Sequence, residues 1–438
     1  MHRLAEYCQV ISHLFQCHTH DGGVRARRYI SGLLCTAARK NMERMSEAIP
    51  KANSQQLQQF LSSSPWEVGP VWSWVALEAA RVMGGGPDAM LMIDESGFSK
   101  KGRHSVGVAR QYNGRLGKVD NCQVGVFSAL SVGSRTSLIG SRLYLPKEWT
   151  EDAKRCKKAG IPKERQKYKT KNELAWELIE EAVETGVEFD WVGMDAGYGR
   201  DQSLLLKISG LGKFYVADVD CSQQVWADEP PGSTRPRAVA NSGARRVDAI
   251  WKEHQSEARE IELRDGENGP VRVRFWRRRV WIWPKTGEIP VEVWLLVSVR
   301  SDGGVKYSLS NAENDIPFEE LGKRQGQRHF VEVCFKDGKN YLGMGEYEGR
   351  GWTFWHHHMA LVGVAMLFTV TERVGYKRSM PLLSVRDLVE VIGGWFASFL
   401  TAEDRERIVL KRHRRRRREM KSKRRRARAK IAKSNLTK

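Results

Sequence analysis

The chain is poor in cysteine, and its cysteines are not grouped. Seven of them, at 8, 17, 35, 122, 156, 221 and 334, are scattered with no Cys-x-x-Cys. That argues against a disulfide framework or a paired-thiolate zinc motif and fits a reducing compartment. Long apolar runs are also missing. The longest, around Met359–Val370, falls short of the roughly 18 residues a membrane span needs, so it reads as a core helix. The N-terminus, MHRLAEYCQVISHLF, has no basic start, apolar run and small-residue cleavage site of a secretory signal. The expectation is a soluble cytoplasmic protein without a membrane partner. No Gly-Lys-Ser/Thr follows the MGGGPD at 83–88, which leaves a linker and not a phosphate loop. His356, His357 and His358 are consecutive, and successive helical positions point about 100° apart, so the three cannot converge on one ion. Packing or nucleic-acid contact is expected of them. Cys17, His18 and His20, near His13, lack a second ligand pair for zinc.

What the chain does have is length, a core and basic charge. Its 438 residues suit two or three domains, and 41% hydrophobic residues suffice for folded interiors. The net charge of +21 points to a polyanionic partner, most often nucleic acid. That charge is concentrated: residues 411–438 hold sixteen Lys/Arg against one acid, Glu419. Such a block reads as a disordered, solvated tail, and phosphate attraction needs no fold.

Residues 1–85 have helical spacing, with Asn53 or Ser54 placed to cap one helix. After the linker the pattern changes. AMLMID (89–94) is a buried-strand run, and CQVGVFSALSV (122–132) and TSLIGSRLYLP (136–146) form a strand pair about Gly133-Ser134-Arg135. KNELAWELIEEAVETG (171–186) is an amphipathic helix closed by Gly186, EFDWVGMD (188–195) a strand, RDQSLLLKISGLG (200–212) a helix and KFYVADVD (213–220) a strand. Residues 86–220 therefore read β-β-β-α-β-α-β, a mixed sheet in an α/β fold. Residues 221–315 are β-rich, with VRVRFWRRRVWIWP and IPVEVWLLVSVR able to pair through a turn near Gly287. Residues 316–400 return to helix, and 401–438 form the basic tail.

Three carboxylates stand out. Asp94 and Asp195 each close an apolar strand run, and the carboxyl ends of strands in such sheets are where catalytic groups gather. Alone, either one reads as a turn or helix-cap residue. Together they repel unless a cation lies between them, and Mg²⁺ suits an all-oxygen site. In RHFVEVCFKDGK, Arg328, Glu332 and Lys339 are spaced by four and seven, which places them on one helix face. An acid between two cations there is either a solvated ion-pair face or an arrangement for a metal-bound phosphodiester.

Taken together, the order and context of Asp94, Asp195 and Arg328-x₃-Glu332-x₆-Lys339 resemble bacterial insertion-sequence transposases of the DDE class. The stretches MIDESGFSKKGRHSVGVARQYNGRLGKVDNCQVGVFSAL (92–130) and YEGRGWTFWHHHMAL (347–361) share that resemblance, which covers roughly 25–375. It implies a ribonuclease H-like mixed sheet flanked by helices, interrupted by a β-rich insertion and preceded by an end-binding helical region. It also implies that Asp94, Asp195 and Glu332 hold two Mg²⁺ ions, for which Mn²⁺ can substitute, and that Arg328 and Lys339 meet phosphates. The partners implied are the element's terminal repeats and target DNA, with a homodimer assembled on DNA among the bacterial nucleoid. The resembled signature carries a tyrosine three residues before the arginine, and Gln325 stands there instead. Glu348, in YEGR, is a rival third acid without matching cations. Lys100, Lys101 and Arg103, just after Asp94, are either a plain basic loop or a DNA contact. Arg277 and Arg278 interleave with Trp276 and Trp281, as cations for phosphates and indoles for unpaired bases, or else as one buried tryptophan face of a hairpin. A junction-resolving nuclease and a non-catalytic DNA-binding descendant are the alternatives.

Overall fold

Five helices precede the first strand: α1 (His2–Val10), α2 (Gly22–Leu33), α3 (Met42–Ala48), α4 (Ser54–Ser62) and α5 (Val68–Met83). Asp21, Asn41 and Asn53 each accept a hydrogen bond from a first-turn backbone N–H, so local side chains set where three of these helices start. The computed structural model describes residues 2–17, 21–35, 39–230, 243–266, 269–283 and 289–435. His18, His20 and the turn expected near Gly287 lie outside the described residues.

Strands β1 (Gly86–Ser99), β2 (Ala109–Asn113), β3 (Lys118–Val132) and β4 (Arg135–Leu143) come next. Helix α6 (Lys171–Glu184), opened by a Thr170–Glu173 capping box, leads to β5 (Phe189–Met194). Helix α7 (Gln202–Gly210) then leads to β6 (Phe214–Val219). β1 pairs antiparallel with β3 and parallel with β5, β3 pairs antiparallel with β4, and β5 pairs parallel with β6. The order β4-β3-β1-β5-β6, with an antiparallel meander followed by two parallel crossovers, is the ribonuclease H-like sheet.

The sheet does not stop there. The chain continues through β7 (Gln224–Trp226), β8 (Ala244–Arg246), helix α8 (Val247–His254), β9 (Arg259–Gly266), β10 (Gly269–Ile282), β11 (Val291–Val299) and β12 (Val305–Ser310). β12 pairs antiparallel with β6, so these strands extend the same sheet. Helices α9 (Phe318–Gln327), α10 (His329–Tyr341), α11 (Trp352–Gly375), α12 (Val385–Ser398) and α13 (Ala402–Asn435) complete the chain. Helix α11 is buried along nearly its whole length and packs against β4, α5, α2 and α4. That explains an apolar run that is too short to span a membrane. Among the described residues no helix is long and apolar enough to cross one.

Two elements differ from expectation. β1 does not end at Asp94 but runs on to Ser99, because β3 pairs with it as far as Cys122 opposite Ser99. The helical stretch after Pro317 is two helices meeting at Arg328. The basic segment takes the form of helix α13. Thr401 and Asp404 cap its start by exchanging hydrogen bonds, and its Ala, Arg, Lys and Met content favours helix strongly. Arg412 Nε bonds Glu47 at 2.9 Å, and Arg415 pairs with Glu43, which ties the start of α13 to α3.

Candidate active site

The parallel register builds the site. Ile93 lies opposite Met194, and Met194 opposite Ala217. The next residue on each of these three strands is an aspartate: Asp94, Asp195 and Asp218. Side chains at one level of neighbouring strands share a face, so three carboxylates form a row at the edge of the parallel sheet. Asp195 also caps the helical turn Ala196–Gly199, its Oδ1 accepting from the Gly197 N–H at 2.9 Å. One residue therefore both caps a turn and lines the cleft described below. Gly199 does not leave room for a ligand. It is buried, and a Cβ there would come within 2.1 Å of the Asp218 carbonyl oxygen, so glycine is needed for the turn to pack on β6.

Helix α10 supplies the fourth acid. Asp94, Asp195, Glu332, Arg328 and Lys339 line one cleft of about 550 Å³, together with Tyr112, Lys336 and Asn340. Glu348 is not among them; its Oε1 accepts from Asn41 Nδ2 at 3.1 Å. Lys339 Nζ donates to the Gly97 carbonyl at 3.4 Å. Arg328, at the joint between α9 and α10, reaches three carboxylates. Its Nε is 2.7 Å from Asp218 Oδ2, its Nη2 3.3 Å from Glu332 Oε1 and its Nη1 3.6 Å from Asp94 Oδ2.

Burial, and then the neighbouring Asp195 charge, push the Asp94 carboxyl up to about 7, against the opposing pull of Arg328 and the Glu95 N–H. A carboxyl so placed favours any arriving cation. Arg328 keeps its charge: burial disfavours it, but Asp218, Asp94, Glu332 and Asp195 more than offset this and raise its pKa. Among the described residues no three acid, histidine or cysteine side chains lie close enough together to hold a metal ion as they stand. Arg328 supplies the positive charge between them instead. The donor set of Asp94, Asp195 and Glu332 is all carboxylate oxygen in one cleft, with the Glu332 side chain 57% exposed. That chemistry fits a hard divalent cation.

Other residues singled out in the sequence fall elsewhere. Lys101 and Arg103 are exposed. Lys100 is not: its ammonium sits 3.6 Å from the Tyr347 ring centre, and burial pushes its pKa down to about 8. Trp276 is 3% exposed, stacks on His254 and donates its indole N–H to Glu257 at 2.9 Å. It belongs to the β10 packing against α8 and presents no face to a base, which corrects the stacking role. Trp281 is half-buried, opposite Glu292 and Trp226. Arg277 lies over Trp294 and donates to the Ile316 carbonyl, and Arg278 donates to His254. Gln325 is 1% exposed and is not on the cleft wall. His356, His357 and His358 are buried, and each bonds a different backbone carbonyl: Trp352, Trp66 and Met344. Asp218 is the residue that sequence reasoning misses. The signal for it is another aspartate at the end of an apolar strand, in YVADV.

Comparisons with known proteins give the family. Residues 13–278 match the family described as DDE superfamily endonuclease. The chain belongs to that family. Endonucleases of this family generally use divalent metal ions. The matched stretch contains Asp94 and Asp195 and ends before Glu332. The chain is 27% identical over 347 residues to a probable transposase for insertion sequence element IS701 of Microchaete diplosiphon, covering 78% of this chain and 80% of that protein. Among solved structures it aligns with the piggyBac transposase synaptic complex with hairpin DNA. That alignment has 12% identity and a TM-score of 0.43, and covers 92% of this chain and 80% of that one, a likeness too distant to argue from.

Proposed function

We propose that this endonuclease is a DNA transposase: it cuts the ends of a mobile element and joins the freed ends to target DNA. The observation that carries this is the single cleft shared by Asp94, Asp195 and Glu332, with Arg328 and Lys339 on its wall. The similarity to an insertion-sequence transposase supports the same reading. Asp94, Asp195 and Glu332 hold two Mg²⁺ ions, or Mn²⁺ in their place. When bound, such ions supply Lewis acidity and an activated water for in-line attack on a phosphodiester. Arg328 and Lys339 meet the phosphate oxygens and orient the scissile bond. Lys101 and Arg103 flank the DNA path after β1. The N-terminal helices, 1–85, recognise the terminal repeats, residues 86–220 and 316–400 form the catalytic core around the 221–315 insertion, and α13 adds sequence-independent affinity. Joining two ends in one event favours a homodimer assembled on DNA in the bacterial nucleoid.

The test is excision in cells of a marker flanked by the DNA that borders the gene, comparing wild type with Asp195→Asn. Excision by wild type alone is expected. Equal excision by both sinks the assignment of Asp195. Binding of the flanks without excision by either turns the reading to a non-catalytic DNA-binding protein.

A further inference from the structure

Asp218 lies outside the acid set assigned to metal, yet it makes the shortest contact in the cluster. Arg328 Nε sits 2.7 Å from its Oδ2, against 3.3 Å to Glu332 and 3.6 Å to Asp94. Charge-assisted bonds near 2.7 Å are the strong ones, and a guanidinium cannot shed its proton to escape. The carboxylate is itself fixed. Its Oδ1 accepts from Ser308 Oγ at 2.7 Å, across the β6–β12 register, and Lys306 Nζ lies 3.4 Å from Oδ2. Ser308 Oγ in turn accepts from Gln325 Nε2 at 2.8 Å. A buried relay therefore runs Gln325–Ser308–Asp218–Arg328, and it gives the glutamine at the resembled signature's tyrosine position a place in the structure.

The relay addresses a specific problem. Arg328 is largely enclosed, with its side chain 14% exposed, and it shares Asp94 and Glu332 with any ion they take up. If an ion claims both acids, an enclosed arginine left unpaired is costly. We propose that Asp218 is a positioning residue that holds Arg328 by its Nε when a divalent cation displaces it from Asp94 and Glu332. The guanidinium then stays on the cleft wall with Nη1 and Nη2 free for a phosphate, and its competition with the metal is limited. This rests on the reading of Asp94, Asp195 and Glu332 as metal holders.

The experiment is a Mn²⁺ binding isotherm on the full chain without DNA, read by calorimetry, for wild type, Asp218→Asn, Arg328→Ala and the double variant. Asp218→Asn is expected to weaken binding by roughly tenfold, because Arg328 then has only the metal's own ligands as partners. Arg328→Ala is expected to tighten binding, and Asp218→Asn added to Arg328→Ala to change nothing further. Ser308→Ala removes the hydroxyl that holds Asp218 but keeps its charge, so it should act in the same direction as Asp218→Asn by a smaller factor, even if Asp218→Asn folds poorly. Equal weakening by Asp218→Asn with and without Arg328, or no weakening with Arg328 present, overturns the proposal. Asp195→Asn serves as the control and should abolish binding. If it binds Mn²⁺ as wild type does, the metal reading fails and this inference falls with it. If Asp195→Asn abolishes binding and the coupling is absent, only this inference fails.

Discussion

Arg328 and the arginines of α13 carry the same charge in opposite settings. Arg328 is enclosed by Asp218, Asp94 and Glu332 at the sheet edge. The α13 arginines stand mostly exposed, with Arg412 and Arg415 alone among the described ones tied to acids of α3. Strand register places the first charge, so its partners are few and specific. Helix propensity and a cap place the second set, which faces solvent and salt. Charge counted along a sequence therefore says little about placement: the sixteen basic residues of the tail dominate the composition, but a single half-buried arginine reaches three carboxylates.

If that contrast holds, substitutions at the cleft should alter chemistry and those in α13 should alter only affinity. The largest expected effect is at Asp195. Asp195→Asn keeps an oxygen for the Gly197 N–H and removes a metal-binding charge, so metal-dependent DNA cleavage should fall by about 10³-fold or more with melting temperature unchanged. Cleavage within about tenfold of wild type would erase the distinction between the two regions.

Stability is the next effect, and it comes from groups that belong to neither region. Trp276→Ala should cost roughly 3–5 kcal/mol in denaturant titration, because it empties a packed site between β10 and α8. Loss of hairpin or unpaired-base binding without loss of stability would restore the stacking role. The histidine triplet gives a pH dependence. Burial pushes His356 down to about 3, His357 to about 4 and His358 to about 3. The unfolded chain takes up these protons near 6.5 and the folded chain does not. Their contribution is therefore complete above that pH and is lost as pH falls from it toward the folded values. At pH 5 this amounts to at most roughly 2 kcal/mol per imidazole, so thermal unfolding followed from pH 7 to 5 should show a clear drop that His358→Asn reduces.

The smallest effect on chemistry is expected from the tail. Deleting 411–438 should reduce the slope of log affinity against log salt by about 0.9 for each phosphate the tail neutralises, while cleavage at saturating DNA changes little. An unchanged slope would mean that α13 meets no phosphates, and a collapse of cleavage would place it in the site.

Much of this architecture can be read from the chain. The apolar runs at 89–94, 122–132 and 188–195 are strands, Gly186 follows the end of α6, and the spacing of Arg328, Glu332 and Lys339 puts them on one cleft wall. Residues whose role depends on a distant partner are not readable. The extension of β1 past Asp94 depends on β3, the importance of Asp218 on Arg328 more than a hundred positions away, and the burial of Trp276 on α8 covering that face of the hairpin. Lys100 is basic and looks available in the sequence, but its ammonium packs on the Tyr347 ring and is half-buried there. In the tail, the Thr401–Asp404 cap and helix-forming residues are what favour helix α13.

The most direct test of the central claim, that Asp94, Asp195 and Glu332 hold a divalent ion together, is iron-directed cleavage of the polypeptide. Fe²⁺ is loaded into the protein in place of Mg²⁺, peroxide and ascorbate are added, and the fragments are mapped by mass spectrometry. The account expects cuts beside Asp94, Asp195 and Glu332, suppressed by excess Mg²⁺ and absent in Asp195→Asn. Cuts confined to other segments, or a pattern unchanged by Asp195→Asn, would contradict it.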